Sequence, residues 1–167
     1  MKKLIPLIPL CLSFILSNAQ IPQPDPDTTA RHFLIVASIG NLQEVNAGQL
    51  AAKTGKNAAV RSFGQMMTKD HGEAEQKLLE LARNKGISLP PTATSGIQPD
   101  LKLRNAGGNF DKLYVHAMIN GHRNTVHTFD NYATTGKDPD VRAFANQMLP
   151  IIKQHLAEIS AIEPQWH

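Results

Sequence analysis

One phrase occurs twice in this chain and constrains its fold more than any other feature. "TGKNAAVRSFGQMM" starts at Thr54 and "TGKDPDVRAFANQM" at Thr135. Each copy gives Thr-Gly-Lys, then Val-Arg, then Phe, then Gln-Met. Thr-Gly-Lys breaks a helix. Asn57 in one copy, and Asp138 followed by Pro139 in the other, can cap the next one. Two helical hairpins related by internal repetition are expected, packed about a pseudo-twofold axis.

The remaining boundaries follow from caps and breakers. A first helix is expected from about Ala30 to Thr54, capped by Thr28 or Thr29. A second runs from Asn57 to Lys85 and stops at Gly86. "ISLPPTATSGIQPD" reads as a crossover to about Leu101, and "DLKLRN" as a short helical turn. A third long helix covers Asn109 to Thr135, and a fourth runs from Asp138 to Ile162. No segment alternates apolar and polar residues over a useful length. The expectation is all-α: two hairpins joined by a long crossover into a four-helix bundle spanning residues 30–163.

The ends bear on location. "MKKLIPLIPLCLSFILSNA" has a basic start, an apolar stretch too short to span a bilayer, and small residues at 17 and 19. This predicts a signal peptide over residues 1–19 and export, most simply to the periplasm. Cys11 invites a lipoprotein alternative, but Leu10 stands where a lipobox needs a small residue. "QIPQPDPDTT", residues 20–29, reads as a Pro-rich arm. Cleavage removes Lys2, Lys3 and the one cysteine. Lys+Arg then falls from 17 to 15 against 14 Asp+Glu. A near-neutral chain without a basic run argues against nucleic acid and against insertion in a membrane. Without cysteine, the core must stabilise the fold with no disulfide.

Candidate chemistry lies on the buried stripes. In the second helix Val60, Phe63, Met67, Ala74, Leu78 and Leu81 follow helical spacing with one gap, which His71 fills. His122 completes the stripe of Phe110, Tyr114, Met118, Val126 and Phe129. His155 completes that of Val141, Phe144, Met148, Ile152 and Ile159. Glu44 is the one charge on a small-residue face with Ala37, Gly40, Gly48 and Ala51. Counted from the turns at about 1.5 Å per residue, these groups reach mid-bundle, with His155 about one turn higher. The count assumes that the second and third long helices run in the same direction.

A buried carboxylate needs a partner. One divalent ion bound by Glu44, His71, His122 and His155 would supply it. Zinc is the simplest choice, with copper and nickel as alternatives. A structural hydrogen-bond network among the same groups is the competing reading, and would make the protein a non-catalytic envelope stress or interaction module. A ligating Glu44 makes the site closed; a Glu44 standing back leaves a position open to hydrolytic chemistry. Glu75 and Glu158 are candidate supporting groups. Asp70 is a further candidate for that role, with a solvated edge position as its first reading; His116 and His127 read as surface, and Tyr114 and the methionines as core.

The runs "FLIVASIGNLQEVNAGQLAA", "VRSFGQMMTKDHGEAEQKL", "FDKLYVHAMINGHRNTVHTF" and "GKDPDVRAFANQMLPIIKQHL" resemble an exported bacterial family of unknown function, DUF4142. The resemblance covers about residues 30–162, and it implies a ferritin-like bundle. Its most specific marks fall on Asp70, His71, Gly121, His122, Leu149, Pro150 and His155, with Glu44 at the acidic position of the first helix. The family's "outer membrane" label has no support in strand-like segments. The ferritin-like label raises a di-iron site, but the chain lacks the Glu-x-x-His pairs and the four carboxylates such a site takes.

Overall fold

A computed structural model describes residues 28–89 and 99–163. The expected signal peptide, residues 20–27 of the expected Pro-rich arm and residues 90–98 of the crossover lie outside these residues. The elements are α1 (Thr28–Thr54), α2 (Ala58–Asn84), α3 (Leu101–Arg104), a 3-10 turn at Gly107–Asn109, α4 (Phe110–Thr135) and α5 (Pro139–Ile162). No strand occurs among the described residues. The helix starting at Thr28 puts the expected cap at Thr28 or Thr29 inside α1, a correction of about half a turn.

The caps form as their chemistry dictates. The Asn57 side chain accepts from the Ala59 amide at 2.7 Å, and Asp138 accepts from Asp140 and Val141. Gly86 ends α2 at φ +66°, a left-handed conformation that costs glycine little. The repeated phrase acts the same way twice. Arg61 Nη1 donates to the Gly55 carbonyl at 3.0 Å, and Arg142 Nη1 to the Gly136 carbonyl at 3.1 Å. Each arginine therefore reaches back one turn and ties its own hairpin turn. The valines, phenylalanines and last methionines of both copies are buried.

Two apolar clusters fill the bundle, one at each end. One joins the start of α1 (Phe33, Leu34) with the ends of α2 and α4 (Leu78, Ala82, Phe129, Tyr132) and the start of α5 (Val141, Phe144, Met148). The other joins the end of α1 with the starts of α2 and α4 and with Ile159 of α5. This partition makes α2 and α4 parallel, as the depth count requires. Fully burying a side chain of this size contributes about 1.5–3 kcal/mol.

Two contacts fix the packing, one inside the first hairpin and one between the two hairpins. Where α1 and α2 approach closely, Gly48 and Gly64 face each other: a Cβ on Gly48 would stand 2.5 Å from the Gly64 carbonyl oxygen. The buried Asp111 at the start of α4 accepts from the amides of Lys56 and Asn57, the latter at 2.7 Å. That bond clamps the first turn to the second hairpin.

Candidate metal centre

The layer between the two clusters is polar, and three imidazoles occupy it. His71 of α2, His122 of α4 and His155 of α5 are all buried. Their ring centroids are separated by 5.7 Å (71–122), 5.4 Å (71–155) and 5.6 Å (122–155). His155 thus lies level with the other two, rather than one turn higher. The sequence count erred by accumulating boundary offsets along α5.

Each ring is held from outside. His71 Nδ1 lies 3.1 Å from Asn41 Oδ1. Asn41 Nδ2 donates to Glu75 Oε2 at 3.1 Å, which fixes the amide so that its oxygen faces the histidine. Ser38 donates to the other Glu75 oxygen at 2.6 Å. His122 Nδ1 donates to the Met118 carbonyl at 2.9 Å. His155 Nε2 donates to Asp70 Oδ2 at 3.1 Å. All three outer acceptors are oxygens, so each outer nitrogen carries the proton. Each inner nitrogen is then an unprotonated lone pair.

Those inner nitrogens, Nε2 of His71, Nε2 of His122 and Nδ1 of His155, are buried and have no hydrogen-bond partner. One ligand atom from each histidine lies within 4.8 Å of the others. Three acceptors without a donor cannot satisfy one another. Zinc takes imidazole nitrogen at about 2.0–2.1 Å, which sets the nitrogens of a tetrahedral set about 3.4 Å apart. Small ring rotations cover the difference. The donor set therefore fits a divalent ion.

Electrostatics favour the same protonation pattern. Burial holds the His71 imidazole down to about 3, helped by the charges of His122 and His155 and opposed by Asp70. Burial holds His122 down to about 4, against the Met118 hydrogen bond. Burial would raise Asp70, but bonds from His155 and Lys69 keep it below the usual carboxylate range. For Glu75, burial outweighs the Ser38 and Asn41 bonds and raises it. Phe63 lies edge-on below, 6.2 Å from the His122 ring and 6.5 Å from that of His155.

Glu44 stands apart from the converging nitrogens. Its Oε1 is 3.8 Å from Nδ1 of His122, on the outer side of that ring, while its buried Oε2 has no partner. Burial pushes its carboxyl up to about 8. Gly121 makes room for it: a Cβ there would lie 3.3 Å from Glu44 Oε1. Asp70 is partly exposed, as its edge position suggested, but its bond to His155 makes it the supporting group that was its second reading. Glu75 supports His71 through Asn41, as expected of it. Glu158 bonds Gln154 on the surface. His127 is exposed and His116 half-buried, while Tyr114 is core, stacked on Phe110.

Sequence reasoning missed Ser38 and Asn41. Their signal was available: two small polar residues three apart on the face of α1 that meets α2.

The family described as "Domain of unknown function (DUF4142)" matches over residues 16–162. The chain belongs to this family. Among curated proteins none matches the sequence. Two solved structures share the fold of this DUF4142 protein. A DUF305 fragment from Deinococcus radiodurans superposes with a TM-score of 0.70 at 13% identity, covering 85% of this chain and 99% of the other. CopM in its Cu(II)-bound form superposes with a TM-score of 0.71 at 13% identity, covering 83% of this chain and 97% of the other. No helix among the described residues is long and apolar enough to cross a membrane.

Proposed function

We propose that this protein is an exported, periplasmic metal-binding bundle. It holds one divalent transition-metal ion through Nε2 of His71, Nε2 of His122 and Nδ1 of His155. The observation that carries this is the trio of buried inner nitrogens, each fixed as a bare acceptor by a hydrogen bond on its far side. Outer partners of this kind are what orient metal-ligating histidines elsewhere. Zinc remains the simplest ion for three imidazoles and an open fourth position. Copper(II) is its main competitor: nitrogen sites bind copper more tightly across the divalent series, and CopM shares the bundle. Nickel follows. Glu44 serves as a nearby carboxylate that can swing to the ion or act on what binds there. The basic, apolar and small-residue segments of residues 1–19 support export.

The competing reading is a structural network. The chain of Ser38, Glu75, Asn41 and His71 favours it, because those bonds exist without an ion. Metal analysis after purification and zinc reloading separates the two. The metal reading expects about one ion per chain, absent from the His71→Ala/His155→Ala variant. A chain that takes up no ion, and whose melting temperature ignores added zinc or copper, is the structural scaffold instead.

A further inference from the structure

The inner nitrogens of the three imidazoles are buried, so an ion needs a path to them. On one side Phe63 stands edge-on to His122 and His155, and the apolar cluster of Met67, Tyr114 and Met118 continues beyond it. On the other side a cavity of about 280 Å³ reaches from the surface to His71 and His155. Six waters at about 30 Å³ each take up about 180 Å³. The cavity therefore has room for a divalent ion with its hydration shell. Gly40, in the middle of α1, lies on the wall, and a Cβ there would meet nothing within 4 Å. Glycine weakens a helix interior; here it keeps the space open.

The wall has two chemistries. Phe129, Phe144, Met148 and Ile152 make one part apolar, while Asn41, Glu44, Asp70 and Thr125 present oxygen. Where the cavity meets solvent between α2 and α5, the lining residues are the exposed Glu73, Lys77 and Gln154 and the partly exposed Asp70. Glu44, Asp70 and Glu73 thus face Lys77 alone. Lys69, which does not line the cavity, reaches Asp70 at 3.2 Å and Glu73 at 3.3 Å. Its side chain is 70% exposed, and solvated pairs of this kind contribute little, so an arriving cation displaces it cheaply. At the inner end the cavity meets buried acceptors with no partner: Nε2 of His71, Nδ1 of His155 and Oε2 of Glu44. The sequence of groups from mouth to floor suits a positive ion throughout.

We propose that this cavity is the route by which the ion reaches the three imidazoles, entering between α2 and α5 as a hydrated divalent cation, with Glu73 as the carboxylate that draws it in. This rests on the metal reading above and assigns that site its path of uptake. Glu73 makes no hydrogen bond to a histidine or to a group that supports one, so it acts on the rate of arrival and not on the bound state. A route lowers a barrier in both directions, so obstructing it changes uptake and release by the same factor and leaves affinity alone.

The test measures zinc uptake by metal-free protein in stopped flow, zinc release to excess chelator, and affinity by chelator competition. Gly40→Leu, and independently Ala74→Leu from α2, fill the cavity from two helices. Each should slow uptake and release together by about tenfold or more, because passage then waits on local opening of the bundle. Affinity should stay within about twofold, since the ligands are untouched. Glu73→Gln should slow uptake about two- to fivefold at low ionic strength, and Lys77→Gln should speed it to a similar degree. Both differences should vanish at about 1 M salt, where charges are screened within about 3 Å. Wild-type rates in both filled variants overturn the proposal and leave the metal reading standing. Affinity lost in step with the uptake rate also overturns it, because the cavity would then be part of the site and not the path. Uptake indifferent to Glu73→Gln and Lys77→Gln at low salt overturns the entry between α2 and α5. Wild-type protein that takes up no metal overturns the metal reading and this proposal with it.

Discussion

Asp70 and His155, eighty-five positions apart in sequence, meet at 3.1 Å where α2 crosses α5. The carboxylate is partly exposed and the ring is buried, with side-chain exposures of 27% and 3%. The bond does two things. It closes the bundle between hairpins, and it turns Nδ1 of His155 inward with its lone pair bare.

Asp70→Asn keeps the shape and weakens the acceptor. Zinc affinity should fall by about 10–100-fold, in the range of lost supporting bonds to metal-ligating histidines. Thermal stability of the metal-free protein should change little, because Asp70 is partly solvated. Competition with a chromogenic chelator measures the first, and a melting curve the second. Unchanged affinity would remove Asp70 from the site.

Asn41→Leu has a different signature. It strands the His71 Nδ1–H and one Glu75 oxygen in the interior. The metal-free bundle should lose about 2–4 kcal/mol by denaturant titration, since each unsatisfied buried polar group costs about 1–3 kcal/mol. A loss under about 1 kcal/mol would show that the network is not under strain from burial.

Gly48→Ala should destabilise strongly although alanine favours helix. The new Cβ would fall 2.5 Å from the Gly64 carbonyl, and forced repacking costs about 1–3 kcal/mol or more. Gly40→Ala, with open space at its Cβ, should instead be neutral or stabilising by up to about 1 kcal/mol. Comparing the two by chemical unfolding isolates the helix contact from intrinsic propensity.

The metal-free protein should be most stable near pH 6.5. The His71 and His122 pKa values are lowered in the fold to about 3 and about 4. Below 6.5 the unfolded chain takes up protons there that the fold refuses, so acid destabilises. Glu44 is raised to about 8, so the fold keeps a proton that the unfolded chain loses above 4.5. That contribution is lost as pH rises from 4.5 through 8. Two histidines outweigh one acid below 6.5, and Glu44 acts alone above it. At 1.36 kcal/mol per pKa unit, stability should fall by about 2 kcal/mol towards pH 5 and by about as much towards pH 8.5. Urea titrations across pH 5–9 check this; a monotonic curve would contradict the assigned burial.

Zinc at 100 times its Kd should stabilise the fold by about 2.7 kcal/mol. The gain should hold down to about pH 4 and fade below it as His122 and then His71 take up protons. A melting shift that survives in the His71→Ala/His155→Ala variant would place the ion elsewhere.

Much of the architecture was legible because caps, turns and periodicity are local. Asn57, Gly86 and Asp138 do in the structure what their side chains or lack of one dictate. The histidines were legible because each fills a gap in a 3.6-residue stripe, a property of one helix at a time. What escaped depends on how helices meet. Asp70 sits at the edge of its stripe and looked solvated; only the approach of α5 makes it a partner for His155. Ser38 and Asn41 become important because α2 brings Glu75 and His71 against them. Glu44 was placed on the correct face and at a suitable depth. Its rotation about α1, which sets it behind His122 rather than among the inner nitrogens, could not be read from spacing.

The two apolar clusters carry a consequence for how the protein opens. Each contains the start of the second helix of one hairpin, α5 in one and α2 in the other, and the histidine layer is the seam between them. Without an ion, the halves should exchange amide protons as two units with separate opening energies. An ion bound to α2, α4 and α5 at that seam would couple them, so that amides far from it, at either end of the molecule, slow together.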